Sequence, residues 1–120
     1  MPNQIVWCDI PAKDLDRAIR FYSAVLARPV TKQSFPGMTF GLLPDADSSV
    51  SGCVVATEEA KPSADGPLIY LNCDGRLDAA IAAVEAEGGK MLKPKHQIGP
   101  HGFRAIVLDS EGNRVALHSN

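Results

Sequence analysis

Leu15-Asp16-Arg17-Ala18-Ile19 returns as Leu77-Asp78-Ala79-Ala80-Ile81, an offset of 62 positions in a chain of 120. Each copy follows a short apolar stretch, at 5–10 and at 68–73. About one helix later each copy reaches a Pro/Gly turn and an aromatic residue. These are Pro36-Gly37-Met38-Thr39-Phe40 and Gly99-Pro100-His101-Gly102-Phe103. Five residues with one mismatch are a weak signal. The shared order of features around them makes it a repeat, and the offset lets two copies fill the chain.

Each copy reads as strand, helix, then three strands. In the first, Leu15, Ala18, Ile19, Tyr22, Val25 and Leu26 fall on one helical face. Asp14 stands where an N-cap belongs, and Asp16 lies in the first turn, where negative charge is favoured. Pro29 ends this helix, because the residue before proline avoids helical angles. Strands follow at 30–34, 38–43 and 49–57, separated by Phe35-Pro36-Gly37 and by Pro44-Asp45-Ala46-Asp47. In the second copy Leu77, Ala80, Ile81 and Val84 form the stripe, and Gly88-Gly89 supplies the stop. Its strands are at 90–95, 103–108 and 114–118, the last preceded by the turn Asp109-Ser110-Glu111-Gly112-Asn113. The expected organisation is a module at 1–58, a polar surface linker at 59–65 and a module at 66–120, with helices near 14–27 and 76–87.

Alternation assigns faces within the strands. Val6, Cys8 and Ile10 should lie against the helices, which leaves Trp7 and Asp9 on the opposite face. Ile69, Leu71 and Cys73 behave alike, leaving Leu68, Tyr70 and Asn72 opposite. In the last strand Val115 and Leu117 point to the helix, and Ala116 and His118 point away. The non-helix face thus collects Trp7, Asp9, Tyr70, Asn72 and His118. It reads either as a ligand cleft, apolar with a few convergent polar groups, or as a sheet face covered by a second subunit.

Composition narrows the function classes. With 45% hydrophobic and 22% charged residues the chain has an ordinary globular make-up. Twelve basic against fourteen acidic residues, with no basic run, leave no footprint for nucleic acid. No apolar run is long enough to span a membrane, and no signal-peptide pattern opens the chain, so a cytoplasmic location is expected. Cys8, Cys53 and Cys73 are widely spaced, form no C-x-x-C pair and read as buried small hydrophobes.

The stretch Ile10-Pro11-Ala12-Lys13-Asp14-Leu15-Asp16-Arg17-Ala18-Ile19-Arg20-Phe21-Tyr22, followed by Val25-Leu26, resembles the opening of vicinal oxygen chelate proteins. That group includes glyoxalase I, bleomycin-resistance proteins, fosfomycin-resistance enzymes and extradiol dioxygenases. The close, Gly102-Phe103-Arg104-Ala105 and then Asp109-Ser110-Glu111-Gly112-Asn113-Arg114-Val115, resembles it too. The resemblance implies an α+β fold of two tandem βαβββ modules, each curling its sheet into half of an open barrel around a cleft. It also implies a homodimer, which agrees with the sheet surface that one helix per module cannot cover.

The family's chemistry usually needs a divalent metal held by His, Glu or Gln, which polarises vicinal oxygens of the substrate. The resemblance puts those ligands at Trp7, at Leu68 or Ile69, near 54–56, and at Ala116. None is a metal-binding side chain, so no metal and no other cofactor is expected. His96, beside Lys95 and Gln97, reads as a surface histidine. His101 reads as a base or donor at the cleft mouth, or as a solvated loop residue. His118 either lines the cleft or is satisfied near the C-terminus. Asp9, a carboxylate in an apolar strand, needs a partner: Arg104 or a backbone amide in a structural reading, a base or anchor in a functional one. Trp7 is either core packing or a stacking platform.

Three functions are open at this stage. A metal-free protein could bind a small, partly aromatic molecule, with Trp7, Asp9, Phe40, Tyr70, Asn72, His101, Phe103 and His118 as candidate contacts. A lyase, isomerase or dioxygenase could work from an atypical site around Asp9, His101 and His118. A structural dimer could have its cleft filled by Trp7 and Tyr70. The bulk of Trp7 and the methyl of Ala116 favour neutral aromatic molecules over small vicinal-oxygen anions.

Overall fold

Asp14 caps the first helix as its place predicts, its carboxylate accepting from Arg17 N at 3.1 Å. The computed structural model describes residues 4–44, 50–58 and 60–120, so Asp45, Ala46, Asp47, Ser49 and Glu59 of the expected turn, strand and linker lie outside the described residues. In chain order the elements are β1 (Trp7–Pro11), α1 (Leu15–Leu26), β2 (Thr31–Phe35), β3 (Met38–Leu42) and β4 (Ser51–Val55). The second module repeats them as β5 (Ile69–Asn72), α2 (Leu77–Ala86), β6 (Lys90–Gln97), β7 (Phe103–Leu108) and β8 (Arg114–Ser119), with a 3₁₀ turn at Gly99–His101. Two mixed four-stranded sheets result, in the order β1-β4-β3-β2 and β5-β8-β7-β6, so equivalent strands pair in each module. The first strand of each module runs parallel to its last, and the other pairs are antiparallel.

The helix sides of both sheets share one core. Ile10, Ala18, Tyr22, Val25 and Val54 from the first module cluster with Leu71, Cys73, Leu77, Ala80, Val84, Val107, Val115 and Leu117 from the second. Phe21 is also fully buried, although the stripe of the first helix omits it. The cause is a second packed side: a Cβ on Gly89 would stand 2.7 Å from the Phe21 ring, so the ring of the first module rests directly on the Gly89 backbone of the second. Gly88, at φ 92°, ends α2 by left-handed backbone, and Gly89 N returns to Val84 O at 2.8 Å.

Two expectations change. Val6 is 74% exposed instead of packed on the helices, because the β1–β4 ladder begins at Trp7↔Ser51 and Val6 precedes it. The strand expected at 90–95 extends to Gln97, across Pro94. It is an edge strand, and its register shifts between Met91 and Lys93 and again before His96, which accommodates a residue with no N–H.

The modules are joined by a buried polar cluster in the turn before β8. Asp109, Glu111 and Asn113 are each under a tenth exposed. Glu111 accepts from Lys13 N (2.8 Å), Asp14 N (2.7 Å) and, bidentately, from Arg17 Nε (2.6 Å) and Nη2 (2.9 Å). Asp109 accepts from Tyr22 Oη at 2.5 Å, and Asn113 donates to Pro11 O at 2.7 Å. A turn of the second module thereby satisfies the amides at the start of α1 in the first.

Candidate functional site

The sheet order leaves β1 and β5 as edge strands, and a groove of about 1140 Å³ lies between them. That volume admits a drug-sized molecule. Trp7 and Asp9 of β1 and Tyr70 and Asn72 of β5 line it, and so do Cys8, Ile10, Ile69 and Leu71 of the opposite parity. Both aromatic rings are 46% exposed, so Trp7 is not core packing.

On the β1 wall, Asp9 Oδ1 accepts from the Trp7 indole N–H (2.9 Å) and from the Cys53 thiol (3.3 Å). Among the described residues, Asp9 pairs neither with Arg104 nor with a backbone amide. The ladder sets it opposite Cys53, while Arg104 belongs to the other sheet and has its own acceptors. Burial, and then the hydrogen bond to Asp9, push the Cys53 thiol up to about 12. Burial also raises Cys8 and Cys73, so the environment favours the thiol form of all three free cysteines.

On the β5 wall, Arg104 Nη1 donates to the Tyr70 hydroxyl, and Arg104 Nε donates to His96 Nε2 at 2.9 Å. His96 Nδ1 meets Pro94 O at 2.9 Å. A ring that accepts at Nε2 and donates at Nδ1 is the neutral tautomer, so His96 is a structural acceptor for Arg104 and not only a surface group. His118 stands opposite both Asn72 and Arg104, its ring 6.3 Å from that of Tyr70. Its Nε2 donates to His101 O at 2.7 Å. Asn72 turns back on its own loop, accepting from Asp74 N at 2.9 Å.

The other candidates lie elsewhere. Phe40 is buried with Cys53 and Val55 on the non-helix face of the first sheet, outside the groove lining. Phe103 shares its strand side with buried Ala105 and Val107, and Lys95, paired with Asp78 of α2, stands 5.9 Å over its ring. It therefore belongs to the helix side. The exposed His101 and the half-buried His118 also fall outside the lining. The sequence reading missed Arg114, which lines the groove on the face of Ala116. Alternation along β8 carries that signal.

The family's metal positions can be placed from backbone geometry. Ala12 N→Val55 O (2.9 Å) and Cys73 N→His118 O (2.8 Å) close the parallel pair at the same point in each module. Counting back from them makes Leu68 the counterpart of Trp7, Tyr70 of Asp9, and Ala116 of Cys53. The donor set is then an indole, an isobutyl group, a methyl and a thiol already given to Asp9. Among the described residues no three His, Cys, Asp or Glu side chains converge. These residues do not fit a divalent ion.

Comparison with known proteins agrees with this architecture. A protein of Didymella fabae, described as a glyoxylase-like domain-containing protein, is 36% identical over 130 aligned positions, covering 96% of this chain and 92% of that one. A glyoxalase/bleomycin resistance protein from Albidiferax ferrireducens T118 superposes with TM-score 0.78 at 16% identity, over 98% of this chain and 99% of that one. A glyoxalase-related enzyme from Fulvimarina pelagi does so with TM-score 0.73 at 15% identity, over 99% and 89%. At such identities the two structures speak for the fold alone. Residues 4–117 match the model of the Glyoxalase/Bleomycin resistance protein/Dioxygenase superfamily, and with the paired βαβββ modules this places the chain in that family.

Proposed function

We propose that this protein binds a small, partly aromatic molecule in the groove between β1 and β5, without the metal ligands its family ordinarily uses, and that it works as a symmetric homodimer. The observation carrying the reading is the pair Trp7 and Tyr70: two half-exposed rings on facing edge strands, each with a polar anchor beside it. Trp7 is held at its indole nitrogen by Asp9, which leaves its ring for stacking. Exposed Ile5, Val6 and Val50 near the same edge favour coverage by a second copy.

The enzymatic alternative needs Asp9, His101 and His118 to cooperate. The bonds of Asp9 run to Trp7 and Cys53 and those of His118 to His101, within separate sheets, which favours binding over acid–base chemistry. Thermal-shift screening against aromatic ligands and divalent metals, with elemental analysis of the purified protein, tests the reading. Stabilisation by aromatic ligands is expected. One equivalent of metal per chain at the groove would overturn it, and a monomeric mass in light scattering at high micromolar concentration would remove the dimer.

A further inference from the structure

We infer that the groove ligand carries one carboxylate on its planar aromatic body, and that Arg114 receives it beside Tyr70. This rests on the groove being a binding site, and it adds the ligand's charge. Arg114 and Arg104 lie on the same face of neighbouring strands, with Tyr70 alongside on β5. Neither guanidinium has a carboxylate partner among the described residues, whose ion pairs are Arg17–Glu111, Lys32–Asp16 and Lys95–Asp78. Arg104 is held by two neutral acceptors, His96 and Tyr70. Arg114 donates from Nη2 to Gly66 O at 3.2 Å, and its buried Nε has no acceptor among the described residues. A turn of this guanidinium toward the groove would give its unsatisfied edge a carboxylate, the anion a guanidinium fork matches best.

The groove's own acids do not answer that charge. Asp9 accepts from Trp7 and Cys53 at Oδ1, Asp74 accepts from Ser119 and Asn120 at Oδ1, and neither pairs with Arg114. Asp65, on the linker, makes no ion pair with Arg114. The Tyr70 hydroxyl accepts from Arg104 and keeps its own proton to donate. Arg104 is thus a positioning residue and Arg114 a binding one. The aromatic body expected from Trp7 and Ala116 is retained; the expectation of a neutral ligand is not.

The test compares 2-naphthoate with its neutral isostere 2-naphthamide by titration calorimetry on the whole protein. The carboxylate should bind about tenfold more tightly at 50 mM NaCl, and the ratio should shrink at 500 mM as the charge is screened. Arg114→Gln should bring the ratio near one. Lys32→Gln, which removes the same unit of charge outside the groove, should leave the ratio as in wild type. A ratio of one in the wild type, a ratio indifferent to salt, or a preference surviving Arg114→Gln would each overturn the inference while leaving an aromatic site in place. Absence of binding by both compounds would overturn the inference and the binding function together. The salt series needs no variant, so a misfolded Arg114→Gln does not remove the test.

Discussion

Replacing Glu111 by Gln should cost the protein most of one well-defined electrostatic contribution, readable through its pH dependence. The Glu111 side chain is wholly inaccessible. Burial alone would push its carboxyl up. The Arg17 guanidinium, the amides of Asp14 and Lys13 and the Ser110 hydroxyl outweigh that and hold it at about 2, against an ordinary 4.5. At about 1.36 kcal/mol per unit, ionised Glu111 stabilises the fold by about 3 kcal/mol near neutrality. The folded-state value is the lower one, so between these two limits the unfolded chain binds the extra proton. The stabilisation is complete above about pH 5 and is lost as pH falls toward 2. Urea unfolding followed by far-ultraviolet circular dichroism should show Glu111→Gln about 3 kcal/mol less stable at pH 7, with the gap closing steadily at pH 4 and pH 3. Asp16 and Asp74 are also lowered, by Lys32 and by the Asn120 amide, but they titrate in both proteins and cancel in the difference. A gap below about 1 kcal/mol at pH 7, or one that stays constant down to pH 3, would show that Glu111 does not tie the modules through its charge.

Three further outcomes can be measured. Trp7→Ala should weaken naphthamide binding by about 0.5–1.5 kcal/mol beyond lost burial, read by calorimetry; unchanged affinity would place the ligand away from β1. Trp7→His combined with Ala116→Glu restores two donors at family positions and should create measurable nickel or zinc affinity where either single change creates little. Tyr22→Phe removes the buried donor to Asp109 and should destabilise by about 1–3 kcal/mol in urea unfolding, a loss confined to stability if the groove is independent of that contact.

The repeat made the fold legible because it carries strand order, helix and turn together, and a right-handed crossover leaves few ways to assemble them. Strand parity likewise puts Trp7, Asp9, Tyr70 and Asn72 on the exposed side of their strands. It was also enough to put Phe103 on the helix side, since Ala105 and Val107 share its parity and are buried. Proximity to a Pro/Gly turn suggested otherwise, and that cue carries no information about faces. What parity cannot supply is partnership across strands. That Arg104 meets His96 and Tyr70 rather than Asp9 depends on β7 lying between β6 and β8, in the sheet opposite β1. Glu111 was hidden for a similar reason. Its letters spell a polar surface turn, and only the docking of that turn on α1, 94 residues away from Arg17 in sequence, makes it a buried charge.

The missing metal donors and the unpaired Arg114 are connected by the geometry of one strand. Arg114 and Ala116 are two residues apart on β8, and so on the same face, with Tyr70 paired to Ala116. In the family pattern a carboxylate at the Ala116 position would stand two residues from that guanidinium and would compete for it. A methyl group removes the competitor as well as the metal ligand. Cys53, the counterpart of Ala116 on the other wall, holds its thiol proton and donates to Asp9. One wall offers an aromatic surface with Asp9 hydrogen-bonded by neutral donors, and the other a cation that forms no ion pair with Asp65 or Asp74. On the proposed reading, positive charge facing the ligand comes from a side chain in place of a bound ion. A guanidinium recognises a carboxylate by shape as well as charge but cannot act as a Lewis acid toward vicinal oxygens. On the proposed reading, the same differences turn the site away from the family's polarising chemistry and toward holding an aromatic acid.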